Sequence, residues 1–274
     1  MPKVLTEAKG HVFFITINRP EKRNCVDGET AELLHRAWLR FRDDDDLFVC
    51  VLAGAGDEAF SAGADLSALD SLGPPANASP AEVRRFVTSG PGYIGYTRQT
   101  DVFKPIVAAI NGHALAGGLE IACLADMRVV AEHASFGVSC RRWNVPLVDG
   151  GTQRLPRIVG FSRAMEMILT GRSVGAEEAR LIGLANEVVP KGQSVERATE
   201  IAEALCKLPQ GAMRTDKQAA IMGWGKPLEE GLRIEAELGQ WPLRARADIE
   251  EGARAFVEKR APNFVQDDSR KRGA

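Results

Sequence analysis

The stretch 111–122 reads N-G-H-A-L-A-G-G-L-E-I-A and places one carboxylate, Glu120, in a run of small and apolar residues that continues through Ala122, Cys123, Leu124 and Ala125. Carboxylates are seldom fully buried without a partner, so Glu120 is either a structural oddity or the reason the segment exists. A second segment, F-S-A-G-A-D-L at 60–66, also sets glycine where a backbone must come close to something. Each follows a strand-like run and precedes a helical pattern. Backbone N–H groups at a helix opening have no intrahelical partner, and the helix dipole adds positive potential there. Two such groups converging on one point form an oxyanion hole, which steadies an oxygen that turns anionic during reaction. Glu120 lies three residues beyond Gly117, on the same face of a helix starting there. Apolar surroundings raise its pKa and suit it to proton transfer near neutral pH. The alternative is a glycine-rich turn whose glutamate caps a helix or pairs with an arginine.

The elements that must hold these turns are legible in part. HVFFITIN (11–18) reads as a strand ending at Arg19-Pro20, and LFVCVLAG (47–54) and PIVAAI (105–110) read as buried strands. Asp27 starts a helix with Leu34, Ala37, Trp38 and Phe41 at helical spacing. SLGPPANASP (71–80) is the clearest loop, either a mobile lid or inert surface. MRVVAE (127–132) and SFGV (135–138) read as further strands, and a helix starts near Thr152. Helical spacing then holds over 162–170, 176–183, 194–207, 211–222, 228–238 and 246–260. Strands early and helices late predict an α/β body, 1–195, followed by a helical part, 196–274.

Composition excludes several classes. Thirty-five Lys and Arg against 37 Asp and Glu leave a formal charge of −2, so no global field draws nucleic acid or an anionic membrane. No apolar run is long enough to span a bilayer, and MPKVLTEAKG has no signal-peptide core. Five dispersed cysteines without metal spacing predict reduced thiols in a cytoplasmic protein, and the four scattered histidines offer no metal cluster. The Arg270–Arg272 cluster reads as a frayed tail.

N-R-P-E-K-R-N (18–24), F-S-A-G-A-D-L (60–66), N-G-H-A-L-A-G-G-L-E (111–120), D-G-G-T-Q-R-L-P-R-I-V-G (149–160) and A-F-V-E-K-R (255–260) occur in an order that resembles the crotonase superfamily, the enoyl-CoA hydratase/isomerase proteins. The resemblance covers nearly the whole chain. It implies a crotonase-like spiral of β-β-α repeats with a C-terminal helical trimerisation part, and a homotrimer or dimer of trimers. It implies that the N–H groups of Ala64 and Gly117 hold a thioester carbonyl, and that Ala62, Asp65 and Leu66 line an adenine pocket. Arg23 matches a position near CoA phosphates, and Phe256 and Lys259 match positions that reach a neighbouring subunit's CoA. The alternatives are an arginine on a solvated turn and an ordinary amphipathic helix. The substrate would be an acyl-CoA thioester, with CoA carried by the substrate and no other cofactor.

One departure matters. The second glutamate of family hydratases falls at position 140, and here it is Cys140. Asp149, before Gly150-Gly151, either projects into the acyl pocket as the missing acid or caps the helix near Thr152. Trp143 shapes the acyl pocket or packs in the core, Arg141 and Arg142 pair with Asp149 or reach a trimer interface, and His113 packs in its turn. Enoyl-CoA hydration is the leading expectation. The alternatives are isomerisation or other enolate chemistry on Glu120 alone, and a non-catalytic acyl-CoA binder.

Overall fold

The structure is a computed structural model and describes residues 1–244 and 246–266. The cluster Arg270–Arg272 lies outside the described residues. The described residues divide into two compact units, Met1–Asp101 with Ile106–Ala202, and Val102–Pro105 with those of the described residues that follow Ala202.

The first unit opens on a hairpin, Val4–Lys9 (β1) against Val12–Ile17 (β2), antiparallel with Lys9 opposite Val12. Then come α1 (Gly28–Asp43), β3 (Val49–Gly54), β4 (Ala59–Ser61), a 3-10 turn at Leu66–Ser71, α2 (Pro80–Ser89), β5 (Ile106–Ile110), β6 (His113–Leu115) and α3 (Gly117–Ala122). β7 (Met127–Ala131), β8 (Ser135–Gly137), a 3-10 turn at Ser139–Trp143, α4 (Gly151–Val159), α5 (Phe161–Thr170), β9 (Ser173–Gly175), α6 (Ala176–Leu181), β10 (Glu187–Val189) and α7 (Ser194–Cys206) complete the order, α7 running across the division.

Two sheets result. The larger has the order β1-β2-β3-β5-β7-β10 and is parallel from β2 onward; the smaller has the order β4-β6-β8-β9. The pairs β3/β4, β5/β6 and β7/β8 each give one strand to each sheet, so the chain winds as a coil and repeats the same corner at each turn. β3 and β5 are buried along their whole length, as strands covered on both faces must be. α1 begins where Asp27 accepts the Thr30 N–H at 2.9 Å, and it buries Leu34, Ala37, Trp38 and Phe41.

The loop expected over 71–80 ends in a helix start. Ser79 and Glu82 form a reciprocal capping box and Pro80 sits in the first turn of α2.

In the second unit, α8 (Gln210–Gly223) and α9 (Leu228–Arg244) pack along one another, followed by α10 (Arg246–Glu258). Lys217 Nζ donates to the Lys104 carbonyl, tying the short 102–105 segment to α8. Several apolar side chains here are open, notably Phe256 at 86% exposure and Val257 at 78%. Among the described residues, no helix is long and apolar enough to cross a membrane.

Candidate active site

The first glycine turn follows β4. Ser61 donates its hydroxyl to the Asn24 carbonyl at 2.8 Å and accepts the Gly63 N–H at 3.1 Å. Val26 then pinches the turn from both sides: its N–H donates to Gly63 O, and its carbonyl accepts from Asp65 N–H, each at 2.8 Å. Between these two bonds the Ala64 N–H is left over. Beneath the turn, the buried Arg19 guanidinium reaches Asp65 at 2.9 Å, Asp27 at 3.4 Å and the Cys25 carbonyl at 2.7 Å. Asp65 is thus an internal ion-pair partner that also caps the 3-10 turn through Ser67. The Ser67 hydroxyl, and then Arg19, hold its carboxyl below the usual range.

The second turn lies between β6 and α3. Ala116 adopts φ 51° and ψ −120°, a conformation that costs an alanine strain, while its N–H is pinned to Gly137 O at 2.8 Å. That kink leaves the Gly117 N–H at the open end of α3. Among the described residues, neither Ala64 N–H nor Gly117 N–H has a protein acceptor. The two corners touch: a Cβ at Gly63 would lie 2.5 Å from Gly117 N. A Cβ at Gly117 would lie 3.5 Å from Ala64 N and 2.9 Å from Ile94 Cδ1, so the space beside Gly117 is walled by the other turn's amide and one isoleucine methyl. At Gly118 a Cβ would stand 1.9 Å from the Ser61 carbonyl oxygen, which is backbone and cannot turn aside. Gly118→Ala is therefore expected to cost about 3 kcal/mol, the upper end of the usual overpacking range, measured by urea unfolding.

Glu120 is 3% exposed. Among the described residues it makes no ion pair with an arginine, but it does cap a helix from outside: it takes the first N–H of α4, that of Gly151. Its Oε1 accepts the N–H groups of Asp149 at 2.9 Å and Gly151 at 2.8 Å. Burial pushes its carboxyl up to about 7; the Gly151 N–H pulls against this and the Asp149 charge adds to it. That is a carboxyl able to give or take a proton at neutral pH.

Asp149 is as deeply buried, at 2% exposure. It does not cap α4, whose N-cap is Gly150 without a side-chain bond. Its Oδ1 accepts from the N–H groups of Tyr93 and Ile94 and from the Thr97 hydroxyl. Burial raises its pKa against those bonds. Asp149 therefore joins two parts of the site: its main chain orients Glu120 while its side chain fastens segment 92–97. Arg154 supports it by donating to the Asp149 carbonyl at 3.1 Å.

Cys140 is 6% exposed, and burial, then the Glu120 charge, raise its thiol pKa. A neutral thiol thus stands where a second glutamate was expected. Trp143 is 68% exposed, so it does not pack in the core. Arg141 donates to the Ile168 carbonyl rather than to Asp149. His113 is exposed and bonds Ser135 Oγ at 2.9 Å.

The remaining expected residues fall into two groups. Arg23 is exposed with φ 51°, and its carbonyl accepts the half-buried Ala62's N–H, while Leu66 is 47% exposed. Phe256 and Lys259 belong to the second unit. Sequence reasoning missed Arg19, Ile94, Thr97 and Arg154. Only Arg19 and Arg154 lay inside quoted motifs; the signal at 92–97 was two glycines framing Tyr93-Ile94.

A family model described as enoyl-CoA hydratase/isomerase matches residues 7–267. The chain is 38% identical over 266 residues to (E)-benzylidenesuccinyl-CoA hydratase of Thauera aromatica, covering 96% of this chain and 99% of that one. It is 37% identical to carnitinyl-CoA dehydratase of Salmonella typhi, covering 92% and 94%. Among solved structures, an enoyl-CoA hydratase of Mycobacterium marinum superposes with a TM-score of 0.86 at 32% identity, covering 97% of this chain and all of that one. One from Bacillus anthracis gives 0.84 at 34%, with the same coverage.

Proposed function

This chain belongs to the enoyl-CoA hydratase/isomerase family, and from that premise we propose how its site works. The fold is the crotonase fold, the substrate is a CoA thioester, and the chain is a lyase of the acyl-CoA hydratase kind. The carrying observation is that two acceptor-free amides, on Ala64 and Gly117, meet at one corner, and that α3, which opens on Gly117, carries Glu120 three residues on, a buried carboxyl that titrates near neutrality. The amides take the thioester oxygen and stabilise the enolate; loss of one such donor costs about 3–4 kcal/mol of transition-state stabilisation. Glu120 takes a proton as water adds at C3 and delivers one to C2. The water is thereby split between the two carbons and nothing is oxidised.

Asp149 is the second carboxylate. It stands close enough for its charge to raise Glu120, and paired carboxylates divide acid and base roles when their environments hold protons differently. Asp149→Asn removes that charge while keeping an acceptor for Thr97. We expect kcat to fall about 10²-fold. The limb of the pH profile belonging to Glu120 should move to lower pH, because the charge that raised it is gone. Native kcat with an unmoved limb would assign Asp149 to fastening segment 92–97 alone.

For CoA, exposed Arg23 meets the phosphates, and Ala62 and Leu66 line the adenine. Asp65 contributes main chain there, since its carboxylate is committed to Arg19 and Ser67. Phe256 and Lys259 serve a neighbouring subunit's CoA in a trimer or dimer of trimers, which the exposure of Phe256 and Val257 supports. The chemistry asks for no resident cofactor. We place the enzyme in the cytoplasm on its five free thiols.

Mass spectrometry of crotonyl-CoA products tests the reading. Gain of one water is the expected result. A shifted double bond at unchanged mass would favour isomerisation, the reading that Cys140 in place of a carboxylate supports. Binding without turnover would leave a non-catalytic binder.

A further inference from the structure

Ile94 is presented to the site by a segment with little conformational choice. Gly92 has φ +109°, and a Cβ there would lie 2.6 Å from Asp149 Oδ1. Gly95 has φ +78°, and a Cβ there would lie 2.4 Å from the Ala31 carbonyl oxygen. Tyr96 has φ 61° despite its side chain, and is held by its hydroxyl on Asp101 and by stacking on Trp38 at 5.9 Å. Asp149 accepts from the main-chain N–H groups of Tyr93 and Ile94. The two glycines take positive φ without strain, whereas a tyrosine at this φ persists only where its surroundings over-determine it. The result is an Ile94 side chain 1% exposed with Cδ1 beside the spot a Gly117 Cβ would occupy, the same spot that faces Ala64 N.

We infer that Ile94 is a specificity-determining residue whose terminal methyl excludes substituents at C2 of the acyl group. This rests on the reading of Ala64 and Gly117 as the carbonyl-holding pair. If their amides grip the thioester oxygen, C1 and C2 lie within a bond or two of the space that Ile94 closes. An unbranched 2-enoyl chain fits under the methyl, and a 2-methyl branch meets it. The substrate class is then the 2-unbranched enoyl-CoA thioester. One misplaced methyl in an apolar pocket discriminates by about 10- to 200-fold.

The test compares kcat/KM for crotonyl-CoA and its 2-methyl analogue, tiglyl-CoA, in native protein, Ile94→Val and Ile94→Ala. Ile94→Val removes only Cδ1 and is the informative variant if Ile94→Ala fails to fold. Native protein should favour crotonyl-CoA at least tenfold. Ile94→Val should raise the tiglyl-to-crotonyl ratio at least about tenfold, and Ile94→Ala further. A native enzyme that hydrates both esters equally, or a folded Ile94→Val with the native ratio, overturns the inference while leaving hydration intact. A native protein that hydrates neither ester overturns the underlying reading instead.

Discussion

Glu120→Gln should lower kcat on crotonyl-CoA by about 10²- to 10⁴-fold, the range general acid–base groups supply, while the protein stays folded. Gln keeps an oxygen for the N–H groups of Asp149 and Gly151, so the geometry around position 120 survives and only the mobile proton is lost. The same variant has an effect of opposite sign on stability. In the folded chain the Glu120 carboxyl titrates near 7, above its ordinary value of 4.5. Its contribution to stability is therefore whole below about pH 4.5 and is lost as pH rises through 7. Gln removes this penalty, so the variant should exceed native protein in urea unfolding at pH 8 by about 3 kcal/mol and show no such gain near pH 4. A kcat equal to native would end the assignment of proton transfer to Glu120.

Arg19→Met should destabilise the fold by about 3–5 kcal/mol, because it leaves buried carboxylates without their counter-ion. Asp65 carries most of this loss; Asp27 still has Lys3 at 2.7 Å. The sign with pH follows from Asp65, whose carboxyl lies below its ordinary 3.8 in the folded protein. Stability from a depressed carboxyl is present above its unfolded pKa and lost as pH falls through the folded value. The gap between native and Arg19→Met, read by urea unfolding at neutral pH, should therefore narrow below about pH 4. Because Asp65 follows Ala64 directly, kcat should fall together with stability. A variant as stable as native at pH 7 would show that the pair is energetically neutral.

Those residues mark where sequence reading stops. The glycine turns, Glu120 and the long helices were legible because spacing encodes them locally: small residues at a corner, apolar residues on one helical face. β4, β6, β9 and β10 are three-residue strands, too short to carry an alternation. β1 turns only Val4 inward and so shows no apolar face. Asp149 stands out beside its glycine turn, but its bonds to Tyr93, Ile94 and Thr97 join segments far apart in the chain. No local pattern announces such a contact, and for the same reason the positive φ of Ala116, an alanine rather than a glycine, was invisible.

The coiled path of the first unit has a kinetic consequence. Its corners at Gly63 and Gly117 come from successive windings, and the peptide that steadies Glu120 comes from a later one still. No contiguous fragment carries the reaction centre, and contacts of such sequence separation must await loop closure. A nascent or truncated chain that stops short of Gly151 is thus chemically silent however native its early strands become, and competence arrives in one late step.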